Sequence, residues 1–288
     1  MGPVFDLVIV TASNDLQAHG YRLELAWRAE RGQLPGIAQT HVLPDPLGRR
    51  AGSGSSTLLA IDWAARRFGA TRTTGIARAL AGRRIAIVHC GGDSRRLPAF
   101  SAHGKVFAPM PGTPGSDDSV FARLMRDLVS IVPRPGQVIV AAGDMMLGLH
   151  GRAIDLSGPD ITVLASPQPF SRATRHGVFV AKGSQVRMAL QKPSLAAARS
   201  AGAIDRQGML LVDTGVIAFS AISCQALLRA AGPALLQRIA RGDGPAIDLY
   251  DHLMRAAMPG LSKQAFAAPY RAAGQWNDDL AQLHRGLR

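Results

Sequence analysis

Residues 84–96, RIAIVHCGGDSRR, decide how this sequence is expected to fold. The first six form a short apolar run rich in Ile and Val, which predicts a buried strand. The strand leads into Gly91 and Gly92, where the missing Cβ lets backbone N–H groups approach a phosphate closely. Arg95 and Arg96 follow and could neutralise that phosphate. We therefore expect a buried strand that ends in a phosphate-binding turn; the alternative is an ordinary strand-to-helix turn with surface arginines.

Similar apolar runs alternate with amphipathic segments along the rest of the chain. Helices are predicted at 14–31, 58–68, 119–132 and 222 to about 258, and strands at 5–11, 40–43, 84–89, 137–142, 160–166, 177–181, 185–190 and, as one strand or two, 210–220. Alternating strands and helices are typical of the α/β class with a mainly parallel sheet flanked by helices. The closely spaced strands 177–181 and 185–190 predict an antiparallel pair, so we expect a mixed sheet. Ligands of such sheets bind beyond the carboxyl ends of the strands.

Two aspartates each follow an apolar strand at a tight turn. Asp144 comes after Gly143 at the end of strand 137–142, and Asp213 stands in the sequence VDTG at 212–215. Carboxylate oxygens are hard ligands that suit Mg²⁺ in phosphoryl chemistry. We therefore expect Asp144 and Asp213 to hold one Mg²⁺ jointly. The alternative is that each aspartate only caps the segment that follows it.

Residues 52–57, GSGSST, form a second Gly/Ser-rich loop ahead of an apolar helix. Free N–H groups, hydroxyls and a helix N-terminus all favour a bound phosphate, so we expect this loop to bind nucleotide. Loops of this composition also simply cap helices. A likeness to the Gly/Ser loop of small-molecule sugar kinases keeps a kinase function open as well.

Lysine is scarce in this sequence, with 4 lysines against 29 arginines. Lys105 follows Gly104, nine residues after Arg96, and Lys192 precedes Pro193 at the end of a predicted strand. Two of the few lysines thus fall at loops where a ligand could bind. We expect Lys105 to help bind a phosphate, and Lys192 is a candidate ligand-binding residue; the alternative is that both are solvated surface lysines.

The composition excludes several classes of protein. The formal net charge is +13 at pH 7, which suggests anionic partners. No apolar run reaches about 18 residues, the first residues do not resemble a secretory leader, and two cysteines are too few for a disulfide framework or a zinc site. Aromatic residues make up 5%, which is little for single-strand nucleic-acid binding. We expect a cytoplasmic protein with neither a nucleic-acid nor a membrane partner.

Nucleophilic catalysis has no clear signal in this sequence. No Ser-His-Asp or Cys-His arrangement can be recognised. His89 lies in a predicted buried strand, so we expect a hydrogen-bonded core histidine. Asp248 and Asp251 stand near a late helix start, where acidic residues favour the helix dipole, and we expect them to act as caps.

Several segments together resemble the nucleotidyltransferase part of the fucose-1-phosphate guanylyltransferase (GDP-fucose pyrophosphorylase) family, which includes enzymes fused to an L-fucokinase. The shared segments occur in family order at 5–12 with Asn14, 31–36, 44–46, 52–58, 91–98, 104–107, 143–144, 176–179, 191–193, 212–215 and 248–250. No single motif decides the matter, but the set is specific.

The resemblance implies a fold and a set of site residues. The fold is the Rossmann-like GT-A nucleotidyltransferase fold, with a mixed, mainly parallel sheet flanked by helices. The implied catalytic residues are Arg95, Arg96, Lys105 and Lys192, and the implied metal ligands are Asp144 and Asp213. The implied nucleotide-binding residues are Gly52, Ser53, Gly54, Thr57, Gly91, Gly92, Asp93, Ser94 and Gly143.

The same resemblance implies a reaction. GTP and L-fucose 1-phosphate, or a related sugar 1-phosphate, would give a GDP-sugar and pyrophosphate with Mg²⁺ as cofactor, by in-line attack on the α-phosphorus. The partners are then a nucleoside triphosphate, with GTP favoured, and a sugar 1-phosphate. Two alternatives stay open: a non-catalytic or regulatory module that binds sugar nucleotides, and a sugar kinase.

The family's proteins are longer than this chain and continue into a left-handed β-helix. Residues 1–288 are expected to form a single GT-A-like domain without a β-helix, either a short relative or a fragment. The motifs span about 5–255, and 259–288 is expected to be a tail or a helix. A homodimer is left open.

Overall fold

A β-sheet runs through the part of the chain that the computed structural model describes, which comprises residues 2–92, 97–100, 104–111, 118–131, 133–148, 154–156, 158, 160–259 and 261–287. Its strands are β1 Leu7–Ala12, β2 Thr40–Pro44, β3 Arg84–His89, β4 Gln137–Ala142, β5 Ile161–Pro169, β6 Gly177–Lys182, β7 Gln185–Gln191 and β8 Met209–Ser220. The α-helices are α1 Asp15–Glu30, α2 Ser53–Arg67, α3 Ile76–Leu80, α4 Val120–Ile131, α5 Phe170–Ala173, α6 Leu195–Ser200, α7 Ala221–Arg241, α8 Lys263–Ala272 and α9 Asp278–Gly286.

The strand order is β2-β1-β3-β4-β8-β6-β7, and β5 also pairs with β8. Strands β2, β1, β3 and β4 are parallel. Strand β8 runs antiparallel to β4, β5 and β6, and β6 and β7 form the expected antiparallel pair. This arrangement confirms the prediction of an α/β fold with a mixed sheet. It also shows that 210–220 belongs to one continuous strand.

Helices cover both faces of the sheet because its strands carry apolar side chains on both sides. In β1, Leu7 and Ile9 join a buried cluster with α2, α3 and α7. Val8 and Val10 point to the opposite face and join a cluster with α1 and α4. A parallel strand that is apolar on both faces must be covered on both, which fixes the three-layer arrangement.

The chain after β8 is mostly helical to about residue 258, as predicted, but it is divided into separate helices. Helix α7 contains a non-helical Gly232 followed by Pro233 and ends at Gly242, which has a left-handed backbone (φ 77°). A π-helical turn, Leu249–Met254, follows, and the predicted tail contains helices α8 and α9. Phe266 of α8 and Leu283 of α9 are fully buried, so both helices pack against the domain.

Among the described residues, no helix is both long enough and apolar enough to cross a bilayer.

Helix α2 begins at Ser53, earlier than the predicted start at residue 58, because its first turn is bound by a distant part of the chain. The N–H groups of Gly54 and Ser55 donate to the carbonyl oxygen of Ile247 at 2.8 and 3.1 Å. A Cβ at Gly52 would lie 2.5 Å from that oxygen, and one at Gly54 would lie 2.8 Å from the carbonyl oxygen of Asp248. The two glycines therefore allow residues 247–248 to approach closely, and the expectation of free N–H groups at Gly54 and Ser55 is wrong.

His89, at the end of β3, connects β1 to α2 through both ring nitrogens. The Thr57 hydroxyl donates to the carbonyl oxygen of Ser53 at 2.8 Å, so its oxygen accepts from His89 Nε2 at 2.9 Å. The Thr11 hydroxyl accepts from the Cys90 N–H at 3.2 Å and donates to His89 Nδ1 at 3.4 Å. Burial lowers the pKa of His89 to about 4. The predicted hydrogen bonds of His89 are present, but its side chain is only partly buried and lies at the edge of the core.

Replacing Gly54 with alanine tests the close approach of residues 247–248. Helix propensity alone would make the variant more stable by about 1 kcal/mol. We expect a loss of about 1–3 kcal/mol instead, because the new Cβ would overlap a backbone carbonyl that cannot rotate away. Urea unfolding measures the change. Gly75→Ala is the matched control, since a Cβ there meets nothing within 4 Å; a Gly54→Ala protein as stable as the wild type would contradict the contact.

The His89 network predicts a pH dependence of stability. Between pH 7 and pH 5 the unfolded imidazole (pKa about 6.5) takes up a proton while folded His89 stays neutral, so the free energy of unfolding falls by about 2 kcal/mol. The decline ends below pH 4, where both states are protonated. The measurement is urea unfolding of wild type and His89→Asn across this range. Equal slopes for the two proteins would show that His89 does not carry the effect.

Candidate functional site

The carboxyl ends of the parallel strands border a cavity of about 210 Å³. Four of the residues predicted to bind nucleotide line it, and several residues without a predicted role join them. The lining consists of Thr11, Ser13, Asp45, Arg50, Gly52, Ser53, Ser56, His89, Gly91 and Gly92. The cavity therefore lies where α/β sheets bind their ligands, beyond the carboxyl ends of the strands.

The glycine turn after β3 is described as far as Gly92. A Cβ at Gly91 would lie 3.6 Å from the backbone nitrogen of Ser13, and Gly92 adopts a φ of 147°, which side-chain-bearing residues rarely adopt. Asp93, Ser94, Arg95 and Arg96 lie outside the described residues, so their predicted roles stay predictions. The described part of the turn brings a bare backbone to the cavity, as a phosphate site requires.

Hydroxyl groups at the start of α2 are bonded to other parts of the chain. Ser53 donates to Asp248 at 3.1 Å and Ser56 donates to Asp45 at 2.9 Å. Thr57 bonds His89, as described above. Nucleotide binding by Gly52, Ser53, Gly54 and Thr57 stays a prediction. The hydroxyls that suggested a phosphate site in the sequence hold the site's framework together.

Asp45 and Arg50 are the charged residues of the cavity lining. Neither of them has a role predicted from the sequence. Asp45 follows β2, and its carboxylate accepts from Ser56 and from the backbone of Ala51. Burial raises the pKa of Asp45 despite these bonds and the nearby Arg50. Arg50 is exposed on the wall of the cavity. Nothing in the sequence distinguishes Arg50 from the rest of the 29 arginines, because only the fold brings it to the strand ends.

Lys105 and Asp144 form an ion pair at the end of β4. Gly104, with a φ of 68°, precedes the lysine and packs so closely on the Tyr21 hydroxyl that a Cβ would overlap it. The Tyr21 hydroxyl donates to the carbonyl oxygen of Cys90 at 3.1 Å, which anchors the turn to the end of β3. The side chains of Lys105 and Asp144 are 43% and 54% exposed. Ion pairs this exposed are weak, so both groups can exchange partners when a ligand arrives.

Gly143 brings the end of β4 against the end of β3. Its N–H donates to the carbonyl oxygen of His89 at 2.9 Å, and a Cβ there would lie 2.5 Å from the Cys90 sulfur. This close approach accounts for a glycine ahead of Asp144. A direct role of Gly143 in nucleotide binding stays a prediction.

Asp213 lies on β8 next to the end of β4. Its carboxylate accepts from the Gly215 N–H at 2.8 Å and interacts electrostatically with Tyr250. A Cβ at Gly215 would lie 3.0 Å from the Met145 sulfur and 3.3 Å from the Ala142 Cβ, so the Asp213 turn adjoins the segment that carries Asp144. Burial raises the pKa of Asp213. The two predicted metal ligands therefore come from adjoining segments.

Lys192 joins the Asp213 side of the site through its backbone. Its N–H donates to the carbonyl oxygen of His176 at 3.1 Å, and its φ of 45° is unusual for a residue with a side chain. His176 interacts electrostatically with Asp213, and a Cβ at the next residue, Gly177, would lie 3.4 Å from the Asp213 Cβ. The corner formed by Lys192, His176 and Asp213 therefore brings two basic residues into the neighbourhood of one carboxylate.

The donor set for a metal consists of carboxylates. Among the described residues no three His, Cys, Asp or Glu side chains cluster in a way that could hold a metal ion. Asp144 and Asp213 nevertheless offer hard oxygen ligands of the type that Mg²⁺ takes when substrate phosphates and waters complete its shell. The residues present fit such an ion, and nothing in them favours a softer metal.

The relatives of this chain are sugar-nucleotide enzymes. One is the fucose-1-phosphate guanylyltransferase of Mus musculus, 32% identical over 187 residues, which covers 62% of this chain and 30% of that protein. Another is the bifunctional fucokinase/GDP-fucose pyrophosphorylase of Arabidopsis thaliana, 26% identical over 293 residues, which covers 89% of this chain and 27% of that protein. The chain thus spans less than a third of the length of these relatives.

A solved structure and a family model complete the comparison. The structure, described as a mannose-1-phosphate geranyltransferase from Thermus thermophilus, is 16% identical to this chain. The alignment covers 85% of this chain and 69% of that chain, with a TM-score of 0.31. The family model described as the fucose pyrophosphorylase domain matches residues 77–285. Since this match covers well over half of the chain, the chain belongs to the fucose pyrophosphorylase domain family.

Proposed function

We propose that this chain is a sugar-1-phosphate guanylyltransferase, which converts GTP and L-fucose 1-phosphate, or a related sugar 1-phosphate, into GDP-sugar and pyrophosphate. The observation that carries the proposal is the ion pair of Lys105 and Asp144 next to the Asp213 turn, at the strand ends that also border a glycine-lined cavity, in a chain of this family. Nucleotidyl transfer needs positioning and charge neutralisation rather than a protein nucleophile. The residues at this edge of the sheet supply both.

The cavity beside Gly91 and Gly92 is the proposed site for the nucleoside end of GTP. At about 210 Å³ it is smaller than the roughly 300–1,000 Å³ of pockets that enclose whole ligands. A nucleotide would therefore lie only partly inside it, with its phosphates extending toward Lys105. Arg50 on the cavity wall adds positive charge near this path.

Lys105 is the described cation best placed for the triphosphate. Its ion pair with Asp144 is half exposed, so little energy is lost when the ammonium turns to a phosphate oxygen instead. Arg95 and Arg96 are proposed to act beside it on the sequence argument alone. Together these groups would stabilise the charge of the departing pyrophosphate.

The corner of Lys192 and His176 is the proposed site for the sugar 1-phosphate. His176 interacts electrostatically with Asp213, and the Lys192 N–H donates to the carbonyl oxygen of His176. A dianionic phosphate would be attracted to two basic side chains there. The chain would in this way bring the two substrates to neighbouring strand ends.

The proposed chemistry is a single displacement. An oxygen of the sugar phosphate forms a bond to the α-phosphorus of GTP, and the bond from that phosphorus to the bridging oxygen breaks, so that pyrophosphate leaves. Asp144 and Asp213 would hold Mg²⁺, whose charge would neutralise the reacting phosphates. The chain's own part is to align the two phosphates and to keep cations beside the leaving group.

The direct test is pyrophosphate release. The protein is incubated with each nucleoside triphosphate, Mg²⁺ and a panel of sugar 1-phosphates that includes L-fucose 1-phosphate. We expect pyrophosphate with GTP and a sugar 1-phosphate together and none with either alone. Nucleoside diphosphate formed from ATP and a free sugar would identify a kinase, and no product with any pair would leave a binding module. Either result would overturn the proposal.

Asp144→Asn should lower kcat by at least about 100-fold, because the amide keeps the shape of the side chain and loses the charge that a cation needs. Urea unfolding should change little, since the side chain is half exposed. Asp62→Asn, on an exposed ion pair of α2 with Arg66, is the matched control and should keep wild-type kcat. Full activity in Asp144→Asn would remove Asp144 from the metal site.

A further inference from the structure

The ends of the four parallel strands lie in one row at the proposed site. In the order β2, β1, β3, β4, the register aligns the residues Leu43, Thr11, His89 and Ala142. The residues two positions further along the chain are, in the same order, Asp45, Ser13, Gly91 and Asp144. The carboxylates of Asp45 and Asp144 therefore belong to opposite ends of one row of strand ends.

Backbone contacts continue this row beyond the last paired residues. The Asp45 N–H donates to the carbonyl oxygen of Ala12 at 2.7 Å. A Cβ at Gly91 would lie 3.6 Å from the backbone nitrogen of Ser13. Neighbouring strands are about 4.8 Å apart, so three spacings put the end of β2 roughly 14 Å from the end of β4.

The row matches the order of the groups in a nucleoside triphosphate. The proposed contacts of the reacting phosphates, Lys105 and Asp144, lie at the end of β4. A nucleotide that extends from there across β3 and β1 has its ribose near the middle of the row. Its base, the outermost group, then reaches the end of β2, where Asp45 stands.

Asp45 is an acidic residue in a cavity proposed for an anionic ligand. Among the described residues that line this cavity, no other is acidic. A carboxylate repels phosphates, so the part of the ligand beside Asp45 must offer hydrogen-bond donors. The Ser56 hydroxyl, at 2.9 Å, takes one of the about four acceptor positions of the carboxylate and leaves room for a ligand. Burial raises the pKa of Asp45, and donors from a ligand would favour its charged form.

Guanine is the base whose donors suit a carboxylate. Its N1–H and its N2 amino group are donors side by side on one edge. Adenine and cytosine have an acceptor nitrogen beside the amino group, and uracil and thymine have a single N–H between two carbonyl groups. Arg50 on the cavity wall is a donor of the type that suits the guanine O6, which adjoins N1.

We propose that Asp45 is the specificity-determining residue for the nucleotide, and that it selects guanine by accepting hydrogen bonds from N1–H and the N2 amino group. This proposal rests on the proposed function and deepens it. It gives the preference for GTP a physical cause in one carboxylate at the end of β2.

Asp45→Asn tests the proposal by inverting one hydrogen bond. Xanthosine triphosphate (XTP) has a carbonyl group in place of the N2 amino group, so it repels a carboxylate and accepts from an asparagine amide. In the wild type, with L-fucose 1-phosphate, we expect kcat/KM to be about 10–100-fold higher for GTP than for XTP. In Asp45→Asn we expect this preference to reverse, with kcat/KM for XTP rising at least about 10-fold over the wild type.

Calorimetric titration of GTP or XTP into the protein with Mg²⁺, without a sugar phosphate, measures the same preference without turnover. Asp62→Asn is the matched control, because it makes the same substitution at an exposed ion pair of α2 and should keep the wild-type preference. A merely structural role for Asp45 would weaken both nucleotides alike. Loss of GTP binding in Asp45→Asn with no gain for XTP would therefore overturn the proposal.

Two further results would also count against Asp45 as the guanine contact. If Asp45→Asn stops discriminating GTP from 2′-deoxy-GTP and gains nothing with XTP, the carboxylate binds the ribose instead. If the wild type uses another nucleoside triphosphate as readily as GTP, guanine selection fails while nucleotidyl transfer stands.

The titrations separate this proposal from the proposed function. If the wild type binds GTP and releases no pyrophosphate, the proposed function fails, and the XTP titration of Asp45→Asn still supports or overturns the role of Asp45. A wild type that binds no nucleotide overturns both.

Discussion

The carbonyl oxygen of Ile247 accepts hydrogen bonds from two consecutive N–H groups at the start of α2, and much of the site depends on this contact. Nearby, the hydroxyl of Ser55 donates to the carbonyl oxygen of Pro245, 190 residues further along the chain. Closing a loop of that length costs conformational entropy, and the gain must come from the whole interface rather than from one bond. Glycines at 52 and 54 are what make the interface possible, because any side chain there would meet the backbone of 247–248.

The contact between the start of α2 and Ile247 has three consequences for the site. It turns the hydroxyls of α2 inward to His89 and Asp45, so the floor of the cavity is rigid. It also places Asp248 where it can cap the π-helical turn. Tyr250 of that turn interacts electrostatically with Asp213 on the antiparallel half of the sheet. The start of α2 and the π-helical turn are thus parts of one hydrogen-bonded unit.

The sequence sufficed for the strands and for the α/β class because both follow from local patterns. The apolar run ending at His89 and the run ending at Ala142 predict buried strands, and parallel strands bring their carboxyl ends to one edge. That rule was enough to expect Asp144 at the site. It could not reveal Arg50, because this residue reaches the cavity only through contacts between distant segments.

The same limit explains the wrong expectation of free N–H groups at Gly54 and Ser55. A Gly/Ser loop ahead of a helix has the same local sequence whether its N–H groups face a phosphate or a carbonyl of the chain itself. The choice is made by Ile247, far away in the sequence. Sequence patterns therefore identify glycines that permit close approach, and tertiary structure decides what approaches.

The two predicted metal carboxylates differ in a way that suits different tasks. Asp144 is half exposed and paired with a half-exposed lysine, so its environment can change with each ligand. Asp213 accepts a hydrogen bond from the Gly215 N–H, and burial raises its pKa, so a nearby cation would offset the cost of keeping it charged. In the proposed reaction the fixed carboxylate would define where the metal sits. The exposed one would then adapt to incoming triphosphate, with Lys105 released from it to meet the same phosphates.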